Sequence, residues 1–348
     1  MSSLFQPDFF SAPRPVFNPI STEGYSQITD ILHKHYDIDS HDVVSISALD
    51  GLEVNSKNFR VETSKGIYAL KRSGKNADLR NSAYQMEISQ KLNALGASMP
   101  NAIYSHDGIC AEDDNKFWIL TDFVEGGYFS GSSSDYLSAI DAIVALQNAI
   151  DHCEGGQGLP LASLNNSWSE TARIFQEFYS RKSEWNSLFP DEEKILLIGE
   201  SDHLKQCIEK VSESTNHAVR EILPTHIDLH PHNILVSDGG RVVIVDVDSL
   251  QRANRLQSMA FAIFKLTRQH IVYEAPRDFS QPALKFMNAL GVKNNSVREY
   301  YYAALAETLR RIGIIISLNM NHANSEWNKV LKLQLMALHE AAPIFGQE

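Results

Sequence analysis

Cysteine is the first scarcity: the 348 residues hold three, Cys110, Cys153 and Cys207, with no paired spacing and an odd count. That excludes a disulfide framework and reads as small core thiols in a reducing compartment. No apolar run is long enough to span a bilayer, and the most apolar stretch, Ile312 to Leu318, is far too short. The N-terminus has no basic segment followed by an apolar one, so no signal peptide is expected. The expected setting is cytoplasmic, with no membrane partner. Basic residues number 31 against 43 acidic ones, a net charge of −12. Binding to a phosphate backbone needs clustered Lys and Arg, so no nucleic-acid partner is expected. Repeats, heptads and low-complexity tracts are missing too. What remains, at 43% apolar and 21% charged residues, is a globular chain long enough for two lobes. Monomer and homodimer both stay open.

One stretch concentrates groups able to do chemistry: Thr225-His226-Ile227-Asp228-Leu229-His230-Pro231-His232-Asn233-Ile234-Leu235-Val236. It sets an Asp and an Asn five positions apart in a polar, Pro-bearing loop, and Ile234 to Val236 then read as a short buried strand. Asp238-Gly239-Gly240 is a hairpin signal. The returning strand, Val242 to Val245, is continuously apolar, so it belongs in a core and delivers Asp246 at its end. Asp228, Asn233 and Asp246 are therefore expected at one mouth. Taken alone, an Asp before a turn is more often an Asx-turn residue than a catalyst. The imidazoles at 226, 230 and 232 also leave a transition-metal site open, although no Cys or Glu-rich partner completes it.

This run resembles the catalytic core of the aminoglycoside phosphotransferase, choline kinase and homoserine kinase type II group of protein-kinase-like small-molecule kinases. Their loop reads H-x-D-x-x-x-x-N and their hairpin ends in I-D-F or similar; here the match is His226, Asp228, Asn233 and Asp246. Ile227 stands where the group usually has Gly, and Val247 where an aromatic is common. The resemblance implies a bilobal α+β fold, with a small antiparallel-sheet N-lobe and a larger, mainly helical C-lobe. It also implies transfer of the γ-phosphoryl of ATP to a hydroxyl of a small metabolite, with Mg²⁺ as cofactor. Asp228 is then the base, Asn233 and Asp246 hold the metal, Asp248 is a further candidate for the metal shell or the acceptor, and His230 is a candidate for the acceptor.

Upstream, Val43 to Leu49, Asn58 to Thr63 and Ile67 to Lys71 read as three strands, with Gly51 to Asn58 as a nucleotide-covering loop in which Ser56 offers phosphate a hydroxyl. By the same resemblance, Lys71 contacts phosphates and pairs with Glu87, on a helix from about Asn81 to Leu95. Phe117 to Phe123 leads into a hinge whose backbone at Asp122, Phe123 and Val124 would meet the adenine edge. Residues 1–20, rich in Pro and Phe, read as an extended arm, 21–124 as the N-lobe and 125–348 as the C-lobe. In the C-lobe, Leu256 to Val272 reads as a buried helix, yet Arg268 is a candidate for the acceptor cleft. Three functions stay open: a metabolic kinase, an antibiotic-modifying phosphotransferase, and a non-catalytic pseudokinase that binds nucleotide.

Overall fold

The computed structural model describes residues 14–49, 57–73, 78–114, 116–162, 168–215, 221–321 and 326–347. Ser56, most of the expected nucleotide-covering loop and residues 1–13 of the arm lie outside them.

The N-terminal half is an antiparallel sheet crossed by two helices. β1 (Phe17–Pro19) precedes α1 (Thr22–Tyr36), and β2 (Val43–Leu49), β3 (Lys57–Thr63) and β4 (Gly66–Arg72) form a meander. After α2 (Leu79–Ala94) come β5 (Ala102–Ile103), β6 (Ala111–Asp113) and β7 (Lys116–Asp122). They make a seven-stranded sheet in the order β1-β2-β3-β4-β7-β5, with β6 also paired to β7. The arm is thus not wholly free, because β1 pairs with β2 from Phe17 opposite Leu49 to Pro19 opposite Ser47. Ser21 caps α1 by accepting from the Gly24 N–H. The helix then buries Ile28, Ile31, Leu32 and Tyr36 against Val61, Leu70, Trp118 and Leu120 of the sheet.

α2 faces the other way. Its Met86, Ile88 and Leu92 belong to the large core of the C-terminal half, and Gln85 Nε2 donates to the carbonyls of Asp248 and Leu250 at 2.6 and 2.9 Å. These bonds tie the helix to the chain just past Asp246.

The C-terminal half begins with β8 (Gly126–Tyr128) and α3 (Ser133–His152), followed by α4 (Trp168–Ser180), α5 (Trp185–Leu188), α6 (Asp191–Gly199) and α7 (Ser201–Thr215). β9 (Ile222–His226), β10 (Ile234–Ser237), β11 (Val242–Ile244) and β12 (Leu250–Asn254) carry the polar loop. α8 (Arg255–Glu274), α9 (Ser280–Ala289), α10 (Val297–Met320) and α11 (Leu331–Ile344) complete the fold. α8 is the axis of this half, buried without a break from Gln257 to Arg268, with Gln257, Ser258, Lys265, Thr267 and Arg268 taken into the core along with its apolar residues. The whole is the bilobal α+β arrangement expected.

The hairpin forms as its turn residues require: Ile234, Leu235 and Val236 pair with Ile244, Val243 and Val242, and Gly240 turns at φ 78°. Sequence periodicity did not show two pairings. β8 adds to the hairpin with Tyr128 opposite Leu235, and β9 pairs with β12 with His226 opposite Leu250. Short strands with mixed polarity leave no period to read.

Candidate active site

Three segments hold the loop. The His226 ring is buried, with Nε2 3.1 Å from the Val245 carbonyl and Nδ1 accepting from the Asp228 N–H at 3.3 Å. One nitrogen donates and the other accepts, so the imidazole is neutral, and burial holds its pKa below the ordinary value. A ring so used has no lone pair left for a metal. The reading of these histidines as a transition-metal site therefore loses its first ligand. From the next strand, Ile227 N–H donates to Ser249 O at 2.9 Å, and Val245 N–H to Asn233 O at 3.0 Å. The loop and hairpin are one hydrogen-bonded unit.

Asn233 Nδ2 donates to the Asp228 carbonyl at 2.8 Å. That fixes the amide, and Oδ1 is left without a partner among the described residues. Asp246 sits in the left-handed region, φ 64° and ψ 61°, a conformation short polar residues tolerate best. Its Oδ2 accepts from Ser249 Oγ at 2.6 Å, and its Oδ1 lies 3.1 Å from Lys71 Nζ. Asp248 Oδ2 lies 2.6 Å from the same ammonium. Desolvation would lower the Lys71 pKa, but the two carboxylates outweigh it and raise it.

Glu87 corrects one expectation. Lys71 is paired with Asp246 and Asp248, while Glu87 is exposed. The reason lies in α2, which turns Gln85, Met86 and Ser89 inward; at 3.6 residues per turn, Glu87 lies about 200° round from Gln85. Arg268 corrects another. It is 1% exposed and pairs through Nε with Glu340 on α11, inside the core.

Lys71, Asn233, Asp246 and Asp248 line a cleft of about 270 Å³ between the lobes, together with Phe123 and Val124. Phe17 of β1 also lines it, with its ring 5.8 Å from that of Phe123. At the hinge, Asp122 N–H is taken by Asn101 O and Phe123 N–H by Ile67 O. The Val124 N–H has no partner among the described residues. Asp122 instead uses its carboxylate to accept from Asn101 N–H and Nδ2.

Asp228 lines a second cavity, of about 230 Å³, with Ser249, Glu307, Arg310 and Arg311. Its Oδ1 is 2.7 Å from Arg311 Nη2, and its Oδ2 is 3.5 Å from His230 Nε2. Burial works to raise the Asp228 pKa, but Arg311 and then His230 overcome it and hold the carboxylate well below its usual range. The Arg311 guanidinium also stacks on Phe261, 4.0 Å from the ring centroid. The sequence reading missed Arg311. The available signal was a Glu307, Arg310, Arg311 set at helical spacing in an otherwise apolar stretch. A larger cavity of about 420 Å³, lined by Arg255, Gln257, Glu299 and Tyr300 among others, holds none of the loop residues.

A sequence profile described as a phosphotransferase enzyme family matches residues 47–269. No curated protein matches the sequence. Among solved structures, a spectinomycin phosphotransferase, APH(9)-Ia, in complex with ADP and spectinomycin superposes with a TM-score of 0.68 at 13% identity. The match covers 94% of this chain and 100% of that one. The amicoumacin kinase hAmiN gives a TM-score of 0.60 at 11% identity over 93% of this chain and 95% of that one. An aminoglycoside phosphotransferase from Alicyclobacillus acidocaldarius gives 0.60 at 13% identity over 94% and 95%. At these identities the likeness speaks for the fold.

Proposed function

The chain belongs to the phosphotransferase enzyme family, and on that premise we propose that it moves the γ-phosphoryl group of ATP to a hydroxyl of a small molecule, with Mg²⁺ as cofactor. One observation carries this reading. Neighbouring residues of a single loop and hairpin line two cavities, Asn233, Asp246 and Asp248 the interlobe cleft and Asp228 and Ser249 the other. One cavity suits the donor and the other the acceptor, with the carboxylates at their junction.

The residues fit the cofactor. Asp246 and Asp248 set two carboxylates against one ammonium, leaving local negative charge, and Asn233 adds an unpartnered amide oxygen. Mg²⁺ takes hard oxygen donors and keeps waters, so this set suffices. When bound, the ion neutralises charge on the donor's phosphates.

The chain's own groups do the rest. Lys71 meets the phosphates, and the free Val124 N–H offers the hinge donor for the adenine edge. Asp228 accepts the proton of the acceptor hydroxyl as that oxygen bonds to the γ-phosphorus and the bond to the β–γ bridging oxygen breaks. ADP departs. Because its pKa is held low, Asp228 stays ionised at neutral pH. It orients the hydroxyl as well as taking its proton. Arg311 and His230 position Asp228.

The test is Mg²⁺-dependent ATP binding by calorimetry, paired with ADP release across a broad panel of hydroxylated acceptors. We expect both, with binding weakened in Lys71→Ala and Asp246→Ala. Nucleotide binding with no turnover on any acceptor would return the chain to a non-catalytic role.

A further inference from the structure

The cavity beside Asp228 has an uneven supply of hydrogen-bonding groups. Its second carboxylate, Glu307, is 3% exposed and already saturated. It accepts from Arg310 Nε at 2.7 Å and Nη2 at 2.6 Å, from Arg311 Nε at 2.9 Å and from Gln257 Nε2 at 2.8 Å. Asp228 is likewise taken by Arg311 and approached by His230. A cationic ligand would find no unpaired carboxylate here among the described residues.

The donors are in the opposite position. The Nη1 groups of Arg310 and Arg311 have no partner among the described residues, although their side chains are only 15% and 21% exposed. One acceptor is spare as well: Gln334, a further lining residue, is 9% exposed and has a buried Oε1 with no partner among the described residues. A buried acceptor such as this Oε1 is rarely left unpaired. A cavity with two spare guanidinium N–H groups and a spare amide oxygen is shaped for a ligand that brings an anion and a hydroxyl or amine. Glu307 backs both guanidiniums from the core side, and Phe261 fixes the plane of one. With their forks held by Glu307 and Asp228, the free Nη1 ends are set before a ligand arrives, so an oxyanion can take one charge-assisted N–H from each.

We infer that the acceptor is a small hydroxylated anion, its carboxylate or phosphate monoester held by Arg310 and Arg311 while its hydroxyl meets Asp228. This rests on the phosphotransferase reading and narrows it, away from polycationic acceptors. Arg310 is then a specificity-determining residue, and Gln334 a second contact that accepts through Oε1 from a further hydroxyl of the ligand.

The experiment is calorimetric titration of the full chain, loaded with Mg²⁺ and a non-hydrolysable ATP analogue. The probes are glycerate, glycerol 3-phosphate, glycerol, choline and spectinomycin. We expect one or both anions to bind, separating the carboxylate source from the phosphate source, and at least tenfold more tightly than glycerol or choline. Arg310→Gln should cost at least tenfold in affinity for the anion only, and Arg310→Lys should restore part of it. Gln334→Leu, which leaves Glu307 untouched, should also weaken the anion and guards against a folding failure of Arg310→Gln. Tighter binding of choline or spectinomycin, or no binding of either anion while the nucleotide analogue binds, overturns the inference and leaves phosphoryl transfer standing. Failure to bind the nucleotide as well overturns both.

Discussion

Arg311 Nη2 stands 2.7 Å from Asp228 Oδ1, across 83 residues of sequence. The guanidinium comes from the middle of α10, is braced by Glu307 and rests on Phe261. It thus sets both the charge and the direction of the one carboxylate that faces the second cavity from the loop.

Asp228→Asn keeps the shape of the side chain and removes the proton acceptor. We expect turnover to fall by about 10²- to 10⁴-fold while ATP affinity changes little, because Asp228 does not line the interlobe cleft. Coupled ADP-release kinetics with calorimetry on the same sample checks both halves. Retained transfer would remove Asp228 from the role of base.

Arg311→Gln removes the largest influence that lowers the Asp228 pKa. The carboxylate should then protonate at higher pH, so the acidic limb of kcat/KM against pH moves upward. A pH–rate profile reads this directly. A loss of rate with an unmoved limb would mean that Arg311 serves structure alone.

Lys71→Ala should raise the KM for ATP strongly, whereas Glu87→Gln should leave it within about twofold, as expected for an exposed side chain worth no more than about 0.5 kcal/mol. Steady-state kinetics at varied ATP distinguishes them. A large effect of Glu87→Gln would show that Lys71 exchanges its aspartates for Glu87 when the nucleotide binds.

Arg268→Met should destabilise the fold by about 3–5 kcal/mol, since it breaks a buried ion pair with Glu340 by removing one partner. The double variant Arg268→Met, Glu340→Leu, which removes both charges of the pair, should recover part of that loss. Denaturant titration measures it. No recovery in the double variant would place the cost in packing rather than in the broken ion pair.

Acid should weaken the protein in two stages. The His226 pKa is lowered by burial. Its stability contribution is therefore complete above the unfolded value of about 6.5 and is lost as pH falls toward the folded one. Asp228, Asp246 and Glu307 are also held low, against burial, by their basic partners. Their contribution is present above about pH 4 and lost below it. Chemical denaturation from pH 8 to pH 3 should show both losses, and His226→Asn should flatten the first. An unaltered slope between pH 7 and 5 in that variant would assign the upper stage to other groups.

Much of this was legible in the sequence where a motif and a period coincide. His226, Asp228, Asn233 and Asp246 stood in one run with a Gly-Gly turn, and the apolar Val242 to Val245 could only be a buried strand. Other features depended on which face of a helix turns inward. α2 has a weakly patterned surface and buries Ser82, Gln85 and Ser89, so neither periodicity nor residue type showed that Glu87 faces out. Arg268 likewise lies on a helix buried all round, where a basic residue meets a distant partner, Glu340, 72 residues away. Arg311 reaches Asp228 only through the packing of α10 on α8, which no local pattern encodes.

The pairing of β8 with β10 bears on how the lobes can move. Gly126 runs so close to that strand that a Cβ would sit 2.3 Å from the Val236 carbonyl oxygen. The segment just after the hinge is therefore bolted to the hairpin that carries Asn233 and Asp246. Any swing of the sheet lobe must pivot before Gly126, within the few residues from Asp122 onward. The distance from that pivot to Asn233 and Asp246 is then set by strand pairing, so these two side chains keep their place relative to β8 however the sheet lobe moves.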